Sequence, residues 1–281
     1  SLHNKYGTIK IKTWDKNQVK LKITIEAEGN NQQKVQRTLE GIDIDFENSN
    51  SFVEAKTDIN LGRGNWNYKI HYEVQMPATN SLETTMSYGD LTADEIKGSA
   101  DITVKYGNFS LEGVGDNSKV RLAYSSSTCR LGTAKDIDIN LSYSNMQLNT
   151  AEDIQVEAKY SKLFIDRAED ITSETGYATI EADYVATFKN NGKYDTFKVG
   201  KANNVNLDGD YSNIKIDELK NDLYFDSNYG DVSVNKVLRG FGNITANVDY
   251  GSVKLGIESD ASYRFRGESR YGNISYPNEM N

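Results

Sequence analysis

Tyr143-Ser-Asn-Met-Gln-Leu-Asn-Thr-Ala-Glu-Asp-Ile-Gln-Val-Glu-Ala-Lys159 runs straight into Tyr160-Ser-Lys-Leu-Phe-Ile165, which begins the same phrase again. From Tyr88 to Tyr271 a tyrosine returns at 88, 106, 124, 143, 160, 177, 194, 211, 229, 250 and 271, in steps of 17 to 21 residues. With the tyrosine as position zero, the next residue is Gly or Ser in nine of eleven copies. The third is apolar in ten of eleven, from Leu91 and Phe109 to Ile274, with Ser127 the exception. Apolar residues recur at the fifth position (Leu148, Ile165, Val199), and small or apolar ones at the eighth (Ala151, Ala168, Val185). A second alternating run, such as Ile154 and Val156, leads into the next tyrosine.

Side chains alternate along a strand, so apolar residues of one parity share one face. The second run and its tyrosine share one parity, and the positions after the tyrosine take the other. The chain must therefore bend just after the tyrosine, where Gly or Ser suits a corner. On this reading the tyrosine points inward and closes a corner of the core; the alternative is an exposed aromatic strip that stacks on sugar rings. A 17-residue unit is too short for an antiparallel blade, but it fits one rung of a parallel β-solenoid hydrogen-bonded to the next at ~4.8 Å. Ten or so rungs make a rod on the order of 50 Å long. The fold class is all-β, a parallel β-helix of ~17–21 residues per rung over residues 81–281. The lengthened steps after Tyr229 indicate extra loop residues, and the two prolines, Pro77 and Pro277, flank the rungs, where no ladder N–H is lost.

Residues 1–80 lack the regular step and read as an N-terminal β-rich cap that covers the first coil. Val19, Leu21, Ile23, Ile25 and Ala27 alternate as a half-buried strand. Val35, Leu39 and Ile42 are spaced four and three apart, predicting one short helix at about 31–40. Ile42–Phe46, Phe52–Thr57 and Trp66–Gln75 read as further strands.

Composition narrows the functions. The chain has 281 residues and a net charge of −9, with no basic patch interleaved with aromatics, which argues against a nucleic-acid partner. No apolar run reaches the ~20 residues of a transmembrane helix. The abrupt start at Ser1 reads as a mature chain from which a leader has been removed.

Chemical motifs are sparse. Two histidines, His3 and His71, lie outside the repeat, so neither a three-histidine zinc site nor an HExxH helix can form. No P-loop, GxGxxG, EF-hand or calcium-binding nonapeptide repeat is present, so no cofactor or metal is expected. Acidic residues recur in nearly every rung (Asp138, Asp153, Asp166, Asp170, Asp183), a uniform spread that suits solubility better than a catalytic carboxylate pair. No catalytic residue is assigned. Cys129, the lone cysteine, falls at a fifth, inward position and reads as a buried small hydrophobe. Around Ser173, Thr175, Asn190 and Gly192 the second run loses its apolar phase, with Tyr184 and Phe188 nearby. Two readings compete there: a thinner core held by hydroxyl and amide ladders, or a ligand groove formed by Ser173, Thr175, Tyr184, Phe188 and Asn190.

The opening Tyr6-Gly-Thr-Ile-Lys-Ile-Lys-Thr-Trp-Asp15, the Val19–Ala27 strand, the Val74-Gln-Met-Pro77 junction and the recurrent Tyr-Gly-x-apolar rungs resemble the DUF4097 adhesin family across essentially the whole chain. The resemblance implies a right-handed single-stranded β-helix, exported to the cell surface or periplasm of a Gram-negative bacterium, and brings no catalytic residues. The expected function is a non-enzymatic binding or adhesive module for surface glycan or an envelope protein. The alternatives are a polysaccharide lyase or hydrolase of the β-helix class, and a structural or envelope-sensing protein without a ligand.

Overall fold

The computed structural model describes residues 1–125, 129–270 and 272–276. Among them, nineteen strands join in a single sheet that coils on itself, accompanied by one helix. Rungs pair in parallel at a constant offset, Met146 to Leu163 to Ile180 to Phe197 to Ile214, so like side chains stack in inward columns. On the wall preceding the tyrosine, Ile137, Ile154, Ile171, Phe188, Val205, Leu223 and Ile244 form one such column. The fold is the β-solenoid read from the repeat.

Each rung turns three times. In the strand Asn145–Lys159, alternation breaks into two successive exposed residues at Asn149-Thr150, at Glu152-Asp153 and again at Lys159-Tyr160. Backbone pairing continues through the first two breaks, so a single strand bends around two corners without losing its ladder. The third corner is the tyrosine.

That corner corrects the sequence reading. The tyrosines of nine rungs, Tyr6 to Tyr211, adopt φ of 50–64°, the left-handed region. Their side chains are 40–53 % exposed and point away from the core. Parity fails because strict alternation holds only for extended backbone. A left-handed residue reverses the chain at itself, not after itself, and throws its own side chain outward.

The residue after the tyrosine completes the corner in one of two ways. In the Gly rungs the previous backbone lies directly beneath: a Cβ on Gly107 would sit 1.9 Å from the carbonyl oxygen of Gly89. In the Ser rungs the hydroxyl becomes a clamp. Ser144 Oγ accepts from Ser125 N–H at 3.1 Å and donates to the Ser142 carbonyl at 2.8 Å, and Ser161 Oγ treats Ser144 N–H and the Lys159 carbonyl likewise. These buried hydroxyls satisfy amides at the tightest point of the coil.

The N-terminal boundary also moves. Strand β1 (Leu2–Trp14) pairs in parallel with Leu82–Ala93 from Leu2↔Thr84 to Ile11↔Ala93, and Tyr6 takes the tyrosine corner. Residues 2–14 are thus the first rung, not part of a cap. Beyond β1 come β2 (Lys20–Ala27), helix α1 (Gln32–Glu40), β3 (Ile42–Asn48), β4 (Val53–Ile59) and β5 (Tyr68–Pro77), close to the predicted elements. Strands β4 and β5 lie parallel on the two halves of β1, and antiparallel β3 and β2 close over them. A buried network fixes this cover to the first rung: Asn4 donates to the Ile70 carbonyl at 2.8 Å and accepts from Thr57, whose hydroxyl also meets Tyr72 Oη at 2.9 Å.

Two further departures lie in the rungs. Cys129 pairs with Met146, so it occupies the third-position column; two extra residues lie between Tyr124 and Cys129. It remains buried, and burial raises its thiol pKa. The extra residues after Tyr229 lie in the loop 238–243, where Gly240 takes φ 76°. The last strand among the described residues is Val253–Ile257. Ser127, Tyr271 and Pro277 lie outside the described residues, while Ile274 is exposed rather than aligned with the inward column.

Candidate functional surface

The five residues of the expected groove do not share a surface. Ser173, Phe188 and Asn190 are buried, and Phe188 meets Phe197 edge to face at 5.3 Å in the core. Tyr184 lies on the outer surface beneath the Arg167 guanidinium, 4.0 Å from its ring centre. Thr175 is half-buried.

The polar residues instead form an internal network whose fourth member the sequence reading missed. Ser173 Oγ donates to Asn190 Oδ1 at 2.6 Å; Thr175 Oγ1 lies 2.8 Å from Asn190 Oδ1 and 2.7 Å from Asp195 Oδ2. Asp195 Oδ1 accepts from Ala178 N–H at 2.8 Å. A hydroxyl has one proton to donate, so Thr175 cannot donate to both acceptors. Either a proton on Asp195 or an inverted Asn190 amide supplies the missing donor. Burial raises the Asp195 pKa, against the lowering effect of its bonds from Ala178 and Thr175, and so favours the protonated carboxyl. The signal was in the repeat: Ala178 and Asp195 are the two departures from Gly or Ser after the tyrosine.

The outer walls carry shallow depressions. One of about 380 Å³ is lined by Thr187, Lys189, Asn206 and Tyr224, and another of about 330 Å³ by Lys119, Arg121, Asp138 and Glu157. The acids of the second are matched by neighbours: Lys119 pairs with Asp138 at 3.4 Å, and Asn140 donates to Glu157 at 2.8 Å. Among the described residues no cluster of three or more His, Cys, Asp or Glu side chains could hold a metal ion, and no helix is long and apolar enough to cross a membrane.

The dominant surface feature is the tyrosine corner itself. Tyr6, Tyr88, Tyr106, Tyr124, Tyr143, Tyr160, Tyr177, Tyr194, Tyr211, Tyr229 and Tyr250 stack face to face at 4.7–5.2 Å with interplanar angles of 2–14°. Tyr68 of the cover closes the first ring edge-on at 5.5 Å. Ring faces inside the stack are occupied by one another, so the strip presents ring edges and hydroxyls. Its flanks change sign along the rod. Lys5, Lys105, Lys159 and Lys193 precede their tyrosines from the first rung to the eighth, and Asp210 and Asp249 precede theirs near the far end. Near that end Lys193 and Asp210 pair at 3.0 Å, which raises the lysine pKa and, with a bond from Asn228, lowers that of the aspartate. Partial desolvation and the adjacent rings and Asp210 raise the Tyr211 pKa.

No family model, no curated protein and no solved structure matches this chain.

Proposed function

We propose that this chain is a non-enzymatic binding and adhesive rod, exported to the cell surface or periplasm, that engages its partners along the tyrosine strip. The observation that carries this reading is the exposure of a continuous aromatic column on a bend that disfavours aromatics. A bulky residue in the left-handed region costs about 1–2 kcal/mol, a cost that Gly would remove and Asn reduce. Nine bends bear it. Exposed aromatic edges with a polar tip are the kind of surface that proteins bury on binding. The resemblance to the DUF4097 adhesins supports export and adhesion, with surface glycans or envelope proteins as the partner classes.

The test is a binding screen of the full chain against glycans and envelope fractions. A variant carrying Tyr124→Asn, Tyr160→Asn and Tyr194→Asn is run beside it, with assays for new reducing ends and unsaturated sugars in parallel. Binding lost in the variant, without product release, is expected. Product release by the unmodified chain, or binding indifferent to the three substitutions, would overturn the proposal.

A further inference from the structure

We infer that the envelope protein engaged by the tyrosine strip is a second copy of this chain, docked face to face and antiparallel. The inference rests on the strip being the binding surface and names what it binds.

Three properties point to a copy. The first is period. The strip repeats every 4.7–5.2 Å over ten intervals. A second strip matches that spacing along its whole length, so edges and hydroxyls stay in register from end to end. The second is chemistry. A phenol hydroxyl both donates and accepts, so a row of them complements itself, and no ladder hydroxyl is hydrogen-bonded to another described residue. The third is charge.

Face-to-face docking of identical rods about a two-fold axis has two forms. If the axis runs along the rods they are parallel, and the column before the tyrosine faces the column two residues after it. Lys5 then lies opposite Thr8 and Lys105 opposite Asn108, with no charge gained. If the axis crosses the rods they are antiparallel, and each column faces its own reverse. With eleven stacked tyrosines among the described residues, Tyr6 to Tyr250, the axis passes at the sixth, Tyr160. The column before the tyrosine then matches Lys5 to Asp249, Ser87 to Asn228 and Lys105 to Asp210, each pair occurring twice. Lys5, Lys105 and Asp249 are exposed and have no ion-pair partner within the described chain, whereas Asp210 already holds Lys193. Lys159 and, in the column on the other side, Lys162 each meet their own copies at the axis, where their long stems can carry the ammonium groups out to water. Asp90 and Asp231 face each other in the column on the other side, but both already accept hydrogen bonds within their own chain, from Asn108 and from Ser252. The footprint, roughly 50 Å by ~13 Å, approaches the ~800 Å² per partner of a standard interface.

The experiment is sedimentation equilibrium of the full chain at low and high salt, with Lys5→Asp and Asp249→Lys chains studied separately and mixed. Both sites are exposed and away from the core, and melting curves confirm folding. The unmodified chain is expected to dimerise, more weakly in high salt. Each variant alone places two like-charge contacts in the dimer and should associate about tenfold more weakly. Mixed, the two variants restore both opposite-charge contacts and should recover the original affinity. A chain that stays monomeric, single variants that self-associate as tightly as the original, or a mixture that recovers nothing would each overturn the antiparallel copy. A monomer that still binds envelope fractions through the strip overturns the copy while leaving the binding rod intact. Envelope binding indifferent to the strip removes the rod as well.

Discussion

Tyr160 sits at φ 53° and stacks at 4.9 Å and 4.8 Å on Tyr143 and Tyr177. The left-handed backbone costs about 1–2 kcal/mol, and each stack contributes about 0.5–1.5 kcal/mol. The two nearly cancel, so the ring is a small net stabiliser at most. A core tyrosine would behave differently, losing about 3–5 kcal/mol on truncation to Ala. Here Tyr160→Gly, which removes ring and strain together, is expected to be more stable than Tyr160→Ala by about 1 kcal/mol. Urea melts of both variants check the order; an Ala variant equal to or above the Gly variant would mean that the corner is not left-handed, and a loss of about 3–5 kcal/mol in the Ala variant would place the ring back in the core. Spacing made the tyrosine legible in sequence, but its direction was hidden, because parity says nothing about a residue that leaves the extended region. Asp195 offers a second residue-scale test. Its folded pKa is raised above the ordinary 3.8 by burial. The stability it contributes is therefore full below that ordinary value and is lost as pH rises through the raised folded value. Asp195→Asn keeps an acceptor for Ala178 N–H, adds a donor for Thr175, and should flatten the decline in Tm across that window. A slope identical to that of the unmodified chain would mean that Asp195 is ionised in the fold.

At the scale of the rung, the seventeen-residue offset held from Asn145↔Lys162 to Ala202↔Leu219 makes each of these coils nearly interchangeable with the next. Stability of such stacks is approximately a sum of neighbour interfaces. Excision of residues 161–177 rejoins Tyr160 to Ala178 in the same register, and a folded rod one rung shorter is expected by circular dichroism and melting. Removing Val156 alone moves Ile154 and the residues before it to the opposite face and should unfold the coil locally, with a much larger loss of Tm. If both deletions behave alike, the columns do not hold the rod together. This repeat was the most legible part of the chain, since inward Met146, Leu148, Ile154 and Val156 recur with like neighbours. What escaped was local. Two extra residues after Tyr124 shift Cys129 from the fifth column to the third, and an insertion at a corner changes no apolar spacing within the strand that follows. The expected groove at Ser173 and Asn190 failed for a related reason. A lapse in apolar phase marks either an opening or a polar interior, and only the hydrogen bonds among Ser173, Thr175, Asn190 and Asp195 distinguish them.

For the whole molecule, one end is closed by β2, β3 and α1, while the strip runs from Tyr6 to Tyr250. The cap elements were legible from Val19–Ala27 and the 31–40 helix. The membership of Leu2–Trp14 in the coil was not, because its next rung, Leu82–Ala93, lies far along the chain. The central claim is that the strip is an exposed recognition surface and not packing. Its most direct measurement combines Tm and binding, to envelope fractions and to a second copy, for the chain carrying Tyr124→Asn, Tyr160→Asn and Tyr194→Asn. Asparagine tolerates the left-handed bend, so a folded chain with a small shift in Tm and at least tenfold weaker binding is expected. Wholesale unfolding, or a folded variant that binds as tightly as the original, would contradict the claim.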